Sequence, residues 1–184
     1  MGLTVPQLLV VGLGNLPMPL TRHSVGHLIV DSLASRLGIK LSSQKGGYVG
    51  HDEVYIGETL VSLTLFKSKS LMNISGPSVA AVYRQKFRDP KSMIVVSDSV
   101  QHDVTKLAVR LGGSANGHNG VKSLISALGG EQNFWRFRVG VGHDGSDLVT
   151  YVLGRLTNHE KQFWTEEGLD LVLAELARVA KKNG

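Results

Sequence analysis

The chain of 184 residues contains no cysteine, which excludes disulfides, thiol nucleophiles and thiolate metal sites. It also has no apolar run near the length of about 18 residues that a membrane span requires. Acidic residues are scarcer than basic ones: 15 Asp and Glu stand against 20 Lys and Arg, so the formal net charge is +5. This imbalance is a modest indication of a polyanionic partner.

Targeting signals are also missing from the first residues. Residues 1–11 have no basic group, and their apolar run is too short for a secretory signal peptide. No Arg precedes Arg22, which disfavours a mitochondrial presequence. We therefore expect a cytoplasmic protein with no membrane attachment, and a mitochondrial location stays open. The length predicts a single domain over residues 1–184, and we expect a monomer.

A short Gly- and Pro-rich stretch has the pattern of a ligand-binding loop. Residues 8–11 are typical of a buried strand, residues 25–37 of an amphipathic helix, and the stretch between them of a loop. In open α/β sheets, ligands bind at the carboxyl ends of strands. The loop brings the amide of Asn15 and the imidazole of His23 to that place, which gives a first site hypothesis.

Two familiar alternatives for this stretch are disfavoured. Gly12 and Gly14 begin a dinucleotide-binding pattern, but Pro17 occupies the place of its third glycine, which argues against a nucleotide cofactor. His23 and His27 have the spacing of a helical zinc site, but no Glu follows His23 and no third ligand stands out. We therefore expect neither a cofactor nor a metal.

The remainder of the chain alternates strand-like and helix-like patterns, as α/β proteins do. Strands are predicted within residues 48–56, 60–66, 93–96, 106–111 and 134–141, and helices within residues 79–87, 121–128 and 157–182. Thr157 and Glu160 have the spacing of a capping box, which would start the last helix. The sequence thus predicts a single α/β domain, with a mixed, twisted β-sheet and helices on both faces.

Polar residues gather at the loops and strand ends of this pattern. They are Asn73, Asp98, His118 and Asn119, in addition to Asn15 and His23. A hydrolase without metal, Cys or cofactor needs a base that works near neutral pH, and histidine is suited to that task. An acid such as Asp98 can hold the imidazole, and Asn amides can donate to an oxyanion. No Gly-x-Ser-x-Gly motif occurs, so the composition favours water activated directly by histidine.

Five segments carry a more specific signal. In chain order they are Gly12-Leu-Gly-Asn15, Thr21-Arg-His23-Ser-Val-Gly26, Met72-Asn73-Ile-Ser-Gly76, Gly117-His118-Asn119-Gly120-Val-Lys122 and Arg136-Phe-Arg138-Val-Gly-Val-Gly-His143. Together they resemble the bacterial-type peptidyl-tRNA hydrolase family, and the resemblance covers residues 8–156. It implies an esterase that cleaves the bond between peptide and tRNA in peptidyl-tRNA, without a metal, and so recycles tRNA.

The resemblance also implies roles for single residues. It makes His23 the general base and Asp98 its orienting partner. Asn73 matches one of the family's substrate- and water-positioning amides, and we expect it to stabilise the oxyanion together with backbone N–H groups. The substrate-binding residues implied are Asn15, Met72, His118 and Asn119, and the tRNA phosphate contacts are Arg110 and Arg138. Residues 112–120 match the family's mobile lid.

The chain departs from the family pattern at three places, and some alternatives stay open. Leu16-Pro-Met-Pro-Leu20 follows Asn15 where Pro-Gly and then an aromatic are common, Ser99-Val-Gln101 replaces a more acidic stretch, and Ser114-Ala-Asn116 replaces lid glycines. A non-catalytic RNA-binding protein on the same scaffold, for instance a splicing cofactor, remains an alternative, as does a hydrolase of other acyl-nucleotide esters. Purely structural roles are the alternatives for single residues: His118 can determine the shape of its loop, and Met72 can belong to the hydrophobic core. Arg110 and Arg138 can simply be solvent-exposed charges on a strand.

Overall fold

The computed structural model describes residues 4–183, which build one seven-stranded sheet with helices against both faces. The strands are β1 (Gln7–Gly12), β2 (Ser42–Ser43), β3 (Gly47–Ile56), β4 (Thr59–Ser68), β5 (Met93–Ser99), β6 (Leu107–Leu111) and β7 (Trp135–Gly140). The helices are α1 (Val25–Leu37), α2 (Gly76–Lys86), α3 (Asn119–Ala127), α4 (Leu148–Leu153), α5 (Asn158–Thr165) and α6 (Glu167–Asn183). Single 3-10 turns lie at Arg22–Ser24, Met72–Ile74 and Pro90–Ser92.

The sheet is mixed, as the sequence predicted. Its strand order is β2-β3-β4-β1-β5-β7-β6. The four central strands β4, β1, β5 and β7 are parallel, whereas β3 is antiparallel to β4 and β6 is antiparallel to β7. The carboxyl ends of β4, β1, β5 and β7 therefore meet at one edge of the sheet, where their loops come together.

Two hydrophobic cores lie on the two faces of the sheet. On β1, Leu8 and Val10 face the core shared with α1, α5 and α6, while Leu9 and Val11 face the core shared with α2 and α3. All four side chains are fully buried. A strand that is covered on both faces needs apolar residues at every position, which accounts for the unbroken apolar run. The predicted fold class is confirmed.

A close approach of α1 to the sheet positions the residues that precede this helix. A Cβ atom on Gly26 would lie 2.4 Å from the carbonyl oxygen of Val96 and 2.5 Å from that of Leu13. Only glycine fits there, so the first turn of α1 rests directly on β1 and β5. His23, just before α1, is thereby brought to the end of β5, where Asp98 lies.

The structure differs from the sequence prediction in the last third of the chain. Residues 148–153 form the helix α4, whose first turn is capped by Asp147 accepting the backbone N–H of Thr150 at 3.1 Å. The predicted last helix is two helices, because the backbone of Glu166 leaves the helical region between α5 and α6. Both hydrogen bonds of the capping box of Thr157 and Glu160 are present, as predicted. No helix within residues 4–183 is both long and apolar enough to cross a membrane.

Candidate active site

A buried carboxylate at the end of β5 holds two histidines. Both carboxylate oxygens of Asp98 lie within 3.0 Å of Nδ1 of His23, and its Oδ1 lies 2.8 Å from Nε2 of His118. The side chain of Asp98 is 3% exposed, against 17% for His23 and 14% for His118. Burial acts to raise the pKa of Asp98, but the hydrogen bonds and charges of His118 and His23 outweigh it and hold that pKa below its ordinary value. Asp98 is therefore a carboxylate at neutral pH.

The start of α3 determines where the protons of these imidazoles lie. His118 is the N-cap of α3, and its Nδ1 accepts the backbone N–H groups of Gly120 and Val121 at 3.2 and 3.3 Å. A neutral imidazole that accepts at Nδ1 carries its proton on Nε2, so His118 donates to Asp98. Asp98 is also faced by Nδ1 of His23, which must donate too, because the carboxylate can only accept. Nε2 of His23 is then the nitrogen with the free lone pair.

The loop that presents His23 is held by hydrogen bonds on two sides. The hydroxyl of Ser24 accepts the backbone N–H of Asn15 at 2.9 Å and donates to the carbonyl oxygen of Met18 at 2.9 Å. From the other side, the backbone N–H of Arg22 donates to the carbonyl oxygen of Gly154 at 2.9 Å. These bonds fix the backbone on both sides of His23.

Residues 154–156 form a strap across the same loop. The backbone N–H of Leu156 donates to the carbonyl oxygen of Leu20 at 2.9 Å, and Thr21 and Arg155 form an antiparallel β-bridge. Leu20 has a φ of 62°, a left-handed conformation that is uncommon for leucine. The loop between Asn15 and His23, where the chain departs from the family pattern, thus depends on this strap for its shape.

A cleft of about 230 Å³ opens beside His23 and Asp98. One wall is apolar and consists of the α4 residues Leu148, Val149, Val152 and Leu153. Helix α4 is attached to the loop of His23 by Arg22, whose guanidinium lies 4.3 Å from the centre of the Tyr151 ring and donates to the Tyr151 carbonyl oxygen at 3.3 Å. The cleft can accept an apolar group on this side.

A second part of the cleft wall is cationic. It contains Arg110 of β6 and two arginines of β7, Arg136 and Arg138. The three side chains share one face of the sheet, because Arg110 pairs with Arg136 in the sheet register and Arg138 lies two residues further along β7. None of the three forms an ion pair with a carboxylate within residues 4–183. Arg110 is exposed and Arg138 partly so, and both are therefore available to an anion. Arg136 is buried, a difference that no local pattern in the sequence indicates.

Three of the residues expected in the site lie outside the wall of this cleft. Asn15 is 5% exposed, and its side-chain oxygen accepts the backbone N–H of Met72 at 2.7 Å. Met72 is 3% exposed and packs in the core beside Gly120 of α3. Asn73 follows in the same 3-10 turn, with an exposed side chain. Asn15 therefore ties the turn of Asn73 to the loop that leads to His23.

The other expected residues lie in the wall of the cleft: His23, Asp98, His118, Asn119, Arg110 and Arg138. What the sequence analysis missed is that His118 binds Asp98, since the two residues are 20 positions apart and belong to different elements. The capping role of His118 had no local signal either, because the sequence predicts the helix only from residue 121 and histidine is not a preferred N-cap residue.

The group of His23, Asp98 and His118 also has the spacing of metal ligands, since one potential ligand atom of each lies within 4.8 Å of the others. His27 is not in this group. A metal bound at Nε2 of His118 would require the proton to move to Nδ1, where it would face the N–H groups of Gly120 and Val121. The hydrogen-bonding pattern therefore disfavours a metal at this position.

Comparison with known proteins identifies the family to which this arrangement belongs. A family model described as peptidyl-tRNA hydrolase matches residues 9–183. The chain belongs to the peptidyl-tRNA hydrolase family. A peptidyl-tRNA hydrolase of Bacillus cereus (strain Q1) is 41% identical over 156 residues, which are 83% of this chain and 82% of the relative. One of Clostridium botulinum (strain Eklund 17B) is 34% identical over 177 residues, which are 95% and 90% of the two chains.

Solved structures agree with this assignment. The crystal structure of peptidyl-tRNA hydrolase from Acinetobacter baumannii matches with a TM-score of 0.84 at 27% identity, over 99% of this chain and 93% of that one. The predicted family and its hydrolase class are confirmed, and the alternative of a non-catalytic RNA-binding protein is not favoured.

Proposed function

We propose that the protein hydrolyses the ester that joins a peptide to the 3′ end of tRNA, and that His23 activates the attacking water. The observation that carries this proposal is the pair of bonds that Asp98 accepts. They leave Nε2 of His23 as an acceptor beside a cleft with one cationic and one apolar wall. Hydrolysis of a peptide ester of RNA needs a base, a wall that binds phosphate and a wall that accepts apolar groups.

The reaction follows from these groups. Nε2 of His23 takes a proton from water, and the hydroxide adds to the ester carbonyl. Asp98 stabilises the imidazolium that forms. For the oxyanion we propose backbone N–H groups and the amide of Asn73, an exposed side chain outside the cleft wall whose turn Asn15 ties to the loop of His23. Collapse of the intermediate breaks the ester bond, and His23 returns its proton to the departing tRNA hydroxyl.

The substrate-binding residues act in two ways. Asn119 lines the cleft with an exposed side chain and contacts the peptidyl end directly. Arg110 and Arg138 bind a tRNA phosphate, since both are available cations on the same wall. Asn15, by contrast, acts through the backbone of Met72 and so positions the turn that carries Asn73.

The remaining expectations from the sequence belong to the same proposal. The protein works without a metal or other cofactor, because the base is a histidine whose tautomer is set by hydrogen bonds. We propose that it acts as a monomer. Its place is the cytoplasm, where peptidyl-tRNA is formed.

The decisive experiment is incubation of the protein with a peptidyl-tRNA and, separately, with an aminoacyl-tRNA, both in the presence of EDTA. We expect release of tRNA from the peptidyl-tRNA and little from the aminoacyl-tRNA. The variant His23→Ala should lose the activity, while His159→Ala, a change of an exposed histidine on α5, should retain it. Loss of activity with EDTA that zinc restores would refute the metal-free mechanism.

The outcome also separates the alternatives. Cleavage of short acyl-nucleotides at the same rate as peptidyl-tRNA would favour the broader esterase. RNA binding by the wild type without any ester cleavage would favour the non-catalytic protein.

A further inference from the structure

Arg136 is a buried arginine that contacts the lid rather than solvent. It is 4% exposed and lies between β7 and the lid loop, residues 112–118. Its guanidinium donates to the carbonyl oxygens of Gly113 at 2.7 Å, Ser114 at 3.0 Å and Gln132 at 3.1 Å. It also lies 4.1 Å from the centre of the Phe134 ring. Two of its three acceptors belong to the lid, so Arg136 fixes the lid against the sheet.

The charge of Arg136 has no carboxylate to balance it within residues 4–183. Burial first, and then the charges of Arg110 and Arg138, lower the pKa of Arg136 to about 10. The Nε atoms of Arg136 and Arg138 are both buried without a hydrogen-bond partner. A buried charge whose neighbours have the same sign is unfavourable unless an anion joins it. The three arginines thus form a site that is incomplete without a negative charge.

The lid connects this cluster to the candidate catalytic residues. At its first residue, the backbone N–H of Gly112 donates to the carbonyl oxygen of Phe134. A Cβ atom on Gly113 would lie 2.8 Å from Cζ of Arg110, so this arginine packs directly on the lid backbone. At the other end of the lid, His118 binds Asp98. A shift of the lid at Gly113 is therefore passed within a few residues to His118.

We infer that Arg136 is a positioning residue that couples binding of an anion at Arg110 and Arg138 to the position of the lid. The inference rests on the proposed function only in that it takes the anion to be an RNA phosphate. A phosphate between Arg110 and Arg138 offsets their repulsion of Arg136. Arg136 then keeps its charge at lower cost and binds the lid carbonyls more strongly. RNA binding thereby holds the lid, and with it His118, in place.

Hydrogen exchange of the lid amides tests this coupling, with deacylated tRNA as the probe. The backbone N–H of Gly112 donates to Phe134, outside the lid, and reports on lid opening, whereas that of His118 donates to Ala115 and reports on the turn within the lid. In the wild type, tRNA should slow their exchange by about tenfold, a factor within the strength of one charge-assisted hydrogen bond. In Arg136→Met, exchange without tRNA should be about tenfold faster than in the wild type, and tRNA should no longer slow it.

Two further variants control this comparison. Arg136→Lys keeps the charge but lacks the planar guanidinium group, so the exchange rate of its lid amides should lie between those of the wild type and Arg136→Met. Arg84→Met removes an arginine that donates to the carbonyl oxygen of Ala127, the last residue of α3, and should leave lid exchange unchanged. In turnover assays Arg136→Met should lower kcat with little change in KM, because Arg110 and Arg138 still bind the RNA. Protection by tRNA that is as large in Arg136→Met as in the wild type would overturn the inference.

If Arg136→Met does not fold, a change in the lid itself can disturb the hydrogen bond between Arg136 and the carbonyl oxygen of Gly113. Gly113→Ala displaces the carbonyl group that accepts the shortest bond from Arg136, because Gly113 has a φ of 103°, at which a side chain is strained. The new Cβ would also lie 2.8 Å from Cζ of Arg110, whose flexible side chain can turn away, so the exchange is measured at a tRNA concentration that saturates this variant. Its lid should likewise lose protection by tRNA, and wild-type protection there would overturn the coupling.

The exchange experiment involves no ester, so the two proposals fail separately. Coupling without cleavage of peptidyl-tRNA would refute the proposed function alone, and cleavage without coupling would refute only the role of Arg136.

Discussion

Replacement of Asp98 by Asn should disable the site by moving a proton rather than by disturbing the fold. The carboxylate accepts from both His23 and His118, whereas an amide has one acceptor and one donor end. His118 cannot change its tautomer without leaving the N–H groups of Gly120 and Val121 unpaired. The amide oxygen should therefore turn to His118. The amide N–H would then face Nδ1 of His23, whose proton must move to Nε2.

The size of this effect follows from the competing orientations of the amide. The opposite orientation, which keeps Nε2 of His23 free, leaves a buried N–H group of His118 without its acceptor, at a cost of about 1–3 kcal/mol. The reactive tautomer of His23 should therefore be populated at roughly 1–10%. Loss of the charge that stabilises the imidazolium adds to this, so kcat should fall by about 10²–10⁴-fold, the usual range for loss of a general base.

A further mutation should restore activity to the Asp98→Asn variant. Serine is a good N-cap but too short to reach residue 98, so His118→Ser should keep α3 capped and release the amide oxygen. The double variant Asp98→Asn with His118→Ser should then regain about tenfold or more over Asp98→Asn alone, because Nδ1 of His23 can donate again.

The assay is single-turnover release of tRNA from peptidyl-tRNA, with ¹⁵N NMR of the His23 ring to read its tautomer. If the losses of Asp98→Asn and His118→Ser simply multiplied in the double variant, the tautomer argument would be refuted. The tautomer argument would also be refuted if the His23 ring still carried its proton on Nδ1 in the Asp98→Asn variant.

Three other changes test separate parts of the structure. Arg138→Ala should weaken tRNA binding and reduce the slope of log affinity against log salt by about one phosphate contact, with little effect on a short acyl-nucleotide; equal losses on both substrates would make Arg138 structural. Gly26→Ala should displace α1 from the sheet, with a loss of about 1–3 kcal/mol in unfolding free energy by urea titration and a lower kcat, and wild-type values would contradict the close contact. Burial first, and then Lys67, lower the pKa of His27 from 6.5 to about 4, so the unfolded chain takes up a proton before the folded one does as the pH falls. Stability should therefore drop by about 3 kcal/mol between pH 6.5 and 4; His27→Leu should flatten this limb of a pH series of urea midpoints, and the exposed control His159→Leu should not.

Regular elements with strong local signals were predictable from the sequence. The helix predicted at residues 25–37 has those bounds, because a Gly at position 38 in the left-handed conformation ends it. The capping box of Thr157 and Glu160 depends on residues three positions apart, and both of its bonds form. The strand predicted within residues 134–141 forms as β7, and its alternation places Arg136 and Arg138 on the face opposite Phe137.

Features that depend on distant contacts were not predictable in this way. Helix α4 has exposed apolar residues and only six positions, so its pattern has no clear period, and its attachment depends on Arg22, more than a hundred residues earlier. The break at Glu166 allows both Trp164 and Leu169 to be buried, which no local signal requires. Arg136 and Arg138 look alike in the sequence, and only the path of the lid makes one buried and the other available. The roles assigned to single site residues stay predictions until the variants are measured.

The strap of residues 154–156 has a consequence for the order in which the protein is made. Asp98 is synthesised 75 residues after His23, but the bridge between Thr21 and Arg155 can form only when more than a hundred residues beyond His23 have been made. Until then the loop before His23 lacks the bonds that give Leu20 its left-handed backbone. A growing polypeptide is itself a peptidyl-tRNA. A site that needs residues 154–156 is thus still unfinished while all the residues between His23 and this strap are being added, when its own ester holds it to the ribosome.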